Sequence, residues 1–151
     1  MKLTKAANGA RAPGIELKLD RSSPKGERVL GIGGIFFKAQ DPAALASWYR
    51  EKLGMCPEGE HTNFEWREKE NPGQPGRTVW SLFKADTDYF GPGSKQFMLN
   101  YRVANLDRML DQLHRGGIAV EKIEDCDYGR FAWINDPEGN RIELWEPKET
   151  K

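Results

Sequence analysis

The stretch Gly129–Pro147, GRFAWINDPEGNRIELWEP, decides the fold. GRFAWIN and NRIELWE read as the two strands of a hairpin. Asp136-Pro137-Glu138-Gly139 turns the chain between them: the proline ring presets φ, and the glycine supplies a positive φ without a steric clash. One acid, Glu143, stands between Ile142 and Leu144 in the second strand. Three roles are open to it: metal ligand, substrate contact, or half of a structural ion pair.

Working outward from the hairpin, AVEKIED (residues 119–125) reads as a further strand. Ahead of it, Asn105 caps a helix with Leu106, Met109, Leu110 and Leu113 on one face, and Gly116 and Gly117 stop it. FMLNYRV, residues 97–103, is the strand before that helix. The same plan occurs earlier in the chain. VLGIGGIFFKA, from Val29, is a strand, and Asp41 then caps a helix with Pro42 at its first position. Leu45, Trp48, Tyr49 and Leu53 recur at helical spacing, and Gly54 ends the run. A short strand near Met55, then NFEWRE (63–68) and TVWSLFKA (78–85), follow, with NPGQPGR as the turn between the last two. DTDYFGPGSK reads as a loop.

Strand, helix and about three strands therefore occur twice, starting near Gly31 and Gln96. The fold expected is α+β: two βαβββ modules, residues 29–95 and 96–148, forming one curved, mixed, eight-stranded sheet. Helices cover its outer face, and the other face is left to enclose a cavity. Residues 1–28 hold seven basic and three acidic residues among scattered Gly, Pro and Ser. They read as a disordered tail, with GIELKLD able to add one edge strand.

The 151 residues fit one domain with a real core. Twenty-three basic residues cancel 23 acidic ones, which argues against nucleic acid or an anionic membrane as the main partner. No apolar run approaches a transmembrane length, and the N-terminus lacks the apolar core of a signal peptide. Cys56 and Cys126 fit no metal spacing and read as free thiols in a reducing cytoplasm.

Three segments carry a resemblance: GIGGIFFKAQDPAALASWYREKLGM, FMLNYRVANLDRMLDQLHRGGI and GRFAWINDPEGNRIELWEP. Together they resemble the vicinal oxygen chelate superfamily of glyoxalase I, bleomycin-resistance proteins and extradiol dioxygenases, over roughly Val29 to Pro147. WSLFKADTDYFGP and FMLNYRV resemble a glyoxalase-like subgroup. The resemblance implies a homodimer. It also implies four metal-ligand positions, which fall here on Gly34, Trp80, Met98 and Glu143. Glycine offers no side chain, an indole N–H has no lone pair to give, and a thioether suits copper(I) rather than Zn, Mn or Fe. Only Glu143 can ligate, so no metal cofactor is expected. His61, Glu60, Glu65, Asp86 and Asp88 show no spacing that would rebuild a site.

Strand alternation then gives the side chains that share the face of Glu143. They are Arg141 and Trp145; Met98, Asn100 and Arg102; Gly34, Phe36 and Lys38; and Thr78, Trp80 and Leu82. This describes an aromatic pocket with Glu143 held by Arg102 or Arg141, or serving as a general base if poorly paired. Arg130 and Tyr128 are placed at the rim, where a guanidinium can meet an anionic ligand or a neighbouring acid. The expected function is metal-independent binding of a small, partly aromatic or anionic molecule. The alternative is a divalent-metal lyase, isomerase or dioxygenase with an atypical site.

Overall fold

The computed structural model describes residues 26–148; the expected edge strand at GIELKLD lies outside them. The elements run β1 (Val29–Ala39), α1 (Pro42–Leu53), β2 (His61–Arg67), β3 (Pro75–Lys84), β4 (Phe97–Val103), α2 (Leu106–Arg115), β5 (Lys122–Cys126), β6 (Gly129–Asn135) and β7 (Arg141–Pro147). They form one mixed sheet in the order β2-β3-β1-β4-β7-β6-β5. β1 pairs in parallel with β3, β4 pairs in parallel with β7, and β1 and β4 meet antiparallel at the centre. No helix among the described residues is long and apolar enough to cross a membrane.

The described residues hold seven strands rather than the expected eight. The missing one is the strand predicted near Met55, where only a single bridge, Glu58 to His61, forms. Pro57 removes a backbone donor there, and Gly59 sits at φ 66°, so a ladder cannot extend.

Both helices start as their caps predict. The Asp41 carboxylate accepts from the Ala44 N–H and the Asn105 side chain from the Arg108 N–H, each at 2.9 Å. Under α2, Leu106 and Met109 pack on Val103, Ala132, Ile134 and Leu144. The α1 stripe differs from expectation. Pro42, Leu45, Ala46 and Tyr49 turn inward, whereas Trp48 and Leu53 are exposed. A small alanine at the contact lets α1 approach the sheet, and its partners there are Trp80 and Leu82.

The pairing register shows that both helices lie on one face. Ile35 and Phe37 oppose Trp80 and Leu82 on one side and Leu99 and Phe97 on the other. The opposite parity of Gly34, Phe36, Met98, Asn100 and Glu143 makes up the helix-free face. β1 is bulged between Ile32 and Gly34. A Cβ on Gly33 would lie 2.2 Å from Asn100 Oδ1 and 2.9 Å from the Trp145 ring, so the bulge needs glycine where β1 crosses β4.

Candidate functional site

The site is built on the centre of the helix-free face. β4 and β7 run side by side with Asn100 opposite Glu143, and β6 places Trp133 on the other flank of Glu143. Phe36, Phe90, Met98 and Trp133 form a buried cluster around this line, with Val79, Phe83 and Phe131 packed against it. Glu143 is 1% exposed and Asn100 2% exposed.

Glu143 is not held by an arginine. Asn100 Nδ2 donates to its Oε1 at 2.5 Å, and the Tyr89 hydroxyl donates to its Oε2. Arg141 instead pairs with Glu121 at 2.9 Å, and Arg102 pairs with Glu68 at 3.8 Å while stacking over Trp66. A guanidinium on a long stem reaches acids at the edge of the face, where its charge keeps contact with water. Burial raises the Glu143 carboxyl above its ordinary value. The Tyr89, Asn100 and Trp133 side chains pull the other way, as does the more distant charge of Arg141. Burial, followed by the Glu143 charge, pushes the Tyr89 phenol far up as well, so it remains a donor across the ordinary pH range.

Tyr89 and Phe90 belong to the loop 85–96 between β3 and β4. Sequence reasoning missed both as site residues. Phe90 is buried, and Lys38 lies over its ring at 5.5 Å. Tyr89 stacks parallel to Phe83 (5.2 Å, 8°) and meets Trp133 edge-on (6.1 Å, 83°). The space expected to be a cavity is thus occupied by side chains of this loop. The signal available was the adjacent aromatic pair in an otherwise polar, Gly- and Pro-rich segment.

The other predicted residues divide between the two faces. Phe36, Met98, Asn100, Arg102, Arg141, Glu143 and Trp145 share the helix-free face. There Trp145 stacks on Phe131 at 6.1 Å, and its Nε1 donates to the Tyr128 carbonyl. Trp80 and Leu82 lie on the opposite face, against α1, with Trp80 edge-on to Tyr49 at 4.8 Å. Arg130 also points to the helix side, where it forms a two-pronged pair with Asp107 on α2 (2.7 and 2.9 Å). It therefore makes the ion pair with a neighbouring acid, not a rim contact on this site. Tyr128 is exposed.

The four positions implied for metal ligands do not supply a ligand set. Gly34 has no side chain, and a Cβ there would lie 2.6 Å from the Phe36 ring. Trp80 is on the wrong face, and the Met98 thioether is soft. Both oxygens of Glu143 already accept hydrogen bonds. These residues do not fit a hard or borderline divalent ion. Among the described residues no group of three or more His, Cys, Asp or Glu side chains converges. His61, Glu60 and Asp86 instead line an open groove of about 800 Å³ between α1 and the ends of β2 and β3, with Arg50 and Lys84 among its other walls.

The family model of the Glyoxalase-like domain matches residues 34–145. Among curated proteins, none matches the chain. Solved structures similar in fold include methylmalonyl-CoA epimerase from Mycobacterium tuberculosis, 24% identical over 80% of this chain and 90% of that one, TM-score 0.50. A variant of the Streptomyces coelicolor methylmalonyl-CoA epimerase, in complex with 2-nitronate-propionyl-CoA, is 14% identical over 82% of this chain and 99% of that one, TM-score 0.60. A glyoxalase/bleomycin resistance protein/dioxygenase superfamily member from Vibrio splendidus is 11% identical over 80% and 98%, TM-score 0.50. With the match spanning both helices and running from β1 into β7, the chain belongs to the glyoxalase-like domain family of the vicinal oxygen chelate superfamily.

Proposed function

We propose that this domain binds a small aromatic molecule on its helix-free face without a metal ion, with Glu143 as the polar anchor. One observation carries the reading. Beside Glu143, the buried Asn100 Oδ1 has no hydrogen-bond partner and Trp133 Nε1 lies by the carboxylate without completing a bond to it, within a wall of aromatic rings. Buried polar groups are nearly always paired, so unpaired ones in an aromatic setting favour a ligand that completes them. An aromatic ligand is favoured over an anionic one, because the charges of Arg102 and Arg141 are already met by Glu68 and Glu121, although the buried Nε of each has no hydrogen-bond partner.

The test begins with protein purified without a metal-binding tag or added metal. Such protein should carry substoichiometric Zn, Ni, Mn and Fe and still bind hits from an aromatic fragment screen read by thermal shift. Glu143→Gln should weaken those hits about tenfold, the scale of one buried hydrogen bond to a charged group. Stoichiometric metal whose removal abolishes binding would overturn the proposal in favour of a divalent-metal lyase, isomerase or dioxygenase.

A further inference from the structure

We infer that the ligand of the helix-free face is a phenol, and that Tyr89 is the chain's own stand-in for it. The inference rests on reading that face as a binding site, and it names the class of molecule bound. Tyr89 shows what the site selects. A flat ring lies parallel to Phe83 and edge-on to Trp133, and a neutral hydroxyl donates to Glu143 Oε2. These are the contacts of a bound small molecule, supplied by a side chain that is 36% exposed and comes from a loop rather than the sheet.

The occupant is also imperfect. Trp133 is 4% exposed, and its Nε1 lies by the Glu143 carboxylate without completing a hydrogen bond to it, although the hydroxyl of Tyr89 lies on the same carboxylate. A phenol free of a backbone can place its single oxygen to donate to Glu143 and accept from Trp133 Nε1. Binding then recovers a buried hydrogen bond that the resting state forgoes. A purely apolar ring would forgo the hydrogen bond that the Tyr89 hydroxyl makes to Glu143 Oε2. A carboxylate would face a buried acid, with the charge of each nearby guanidinium already balanced by Glu68 or Glu121.

The loop is arranged so that Tyr89 can leave while the fold stays. Phe90 anchors it in the core, and Arg141 Nη1 donates to the Tyr89 carbonyl at 3.1 Å. Rotation about the Tyr89 Cα–Cβ bond frees the ring without disturbing either tether. Beyond Phe90, Gly91 and Gly93 hold positive φ values of 77° and 132°, which glycine adopts without strain.

The test uses p-cresol, the tyrosine side chain as a free molecule, and toluene, the same ring without the hydroxyl. Binding to wild type, Tyr89→Ala and Tyr89→Ala/Glu143→Gln is measured by calorimetry, with Tyr89→Ser replacing the alanine variant if that does not fold. Tyr89→Ala should bind p-cresol about tenfold more tightly than toluene, the scale of one buried hydrogen bond. Wild type should bind p-cresol more weakly than Tyr89→Ala, because its own phenol competes. Adding Glu143→Gln should shrink the preference for p-cresol. Equal affinities for p-cresol and toluene, no p-cresol binding to a folded variant, or a preference indifferent to Glu143 would each overturn the inference. Should the fragment screen give Glu143-dependent hits while Tyr89→Ala shows no preference for p-cresol, the binding site stands and the phenol class falls.

Discussion

The two faces of the sheet use their apolar side chains to opposite ends. The helix face packs aliphatic residues of β4, β6 and β7 under Leu106 and Met109. The helix-free face gathers Phe36, Phe90, Met98 and Trp133 around the buried polar pair Asn100 and Glu143, and leaves Asn100 Oδ1 unpaired. One face is built for stability. The other retains hydrogen-bonding capacity that a core designed only to hold the fold would have replaced with hydrocarbon.

The largest effect should come from breaking the stable face. Leu106 is fully buried, and Leu106→Ala should cost about 2–5 kcal/mol in denaturant unfolding, since a helix pinned over a packed cluster cannot collapse to fill the gap. Gly33→Ala probes the other face. Its Cβ would press on Asn100 Oδ1 and the Trp145 ring, and the variant should lose about 1–3 kcal/mol and weaken any ligand anchored by Glu143.

The smallest effect sharpens the contrast through pH. Burial raises the folded-state value of the Glu143 carboxyl above the ordinary 4.5 of an unfolded chain. The favourable contribution of the protonated acid is therefore fully present below 4.5 and is lost as pH rises through the raised folded value. Glu143→Gln carries no such titration. Unfolding measured from pH 4 upward should show the variant gaining on wild type across that window. A constant difference between the two at every pH would mean that the hydrogen bonds to Glu143 fully offset its burial.

Much of the fold was legible because each signal was local. Asp41 and Asn105 sit at cap positions, Pro137 and Gly139 sit in a turn, and α2 carries one apolar stripe. The face of β3 was not legible. Val79 and Phe83 on one parity are as apolar as Trp80 and Leu82 on the other, so alternation gives no sign, and only the parallel register with β1 decides. The partners of Glu143 were half legible. Asn100 follows from strand parity, but Tyr89 lies in a loop without periodicity, where nothing in the spacing says which side chain folds back. Arginines drew attention by charge, yet each found an acid at the margin first.

The turn between β6 and β7 bears on the order in which the chain assembles. Asp136 Oδ1 accepts from the N–H groups of Glu138 and Asn140, and its Oδ2 accepts from the Asn140 amide. Two backbone bonds, from Asp136 to the Asn140 carbonyl and from Gly139 to the Asp136 carbonyl, close the same ring of residues. Joining β6 to β7 closes only that short loop, whereas the parallel partners β1–β3 and β4–β7 are linked through residues 40–74 and 104–140. Loop-closure entropy therefore favours the two antiparallel hairpins, β5–β6 across residues 127–128 and β6–β7 across 136–140, ahead of either parallel pair. In that sequence of events Glu143 meets Trp133 while still in water, and it is dehydrated only when β4 brings Asn100 against it.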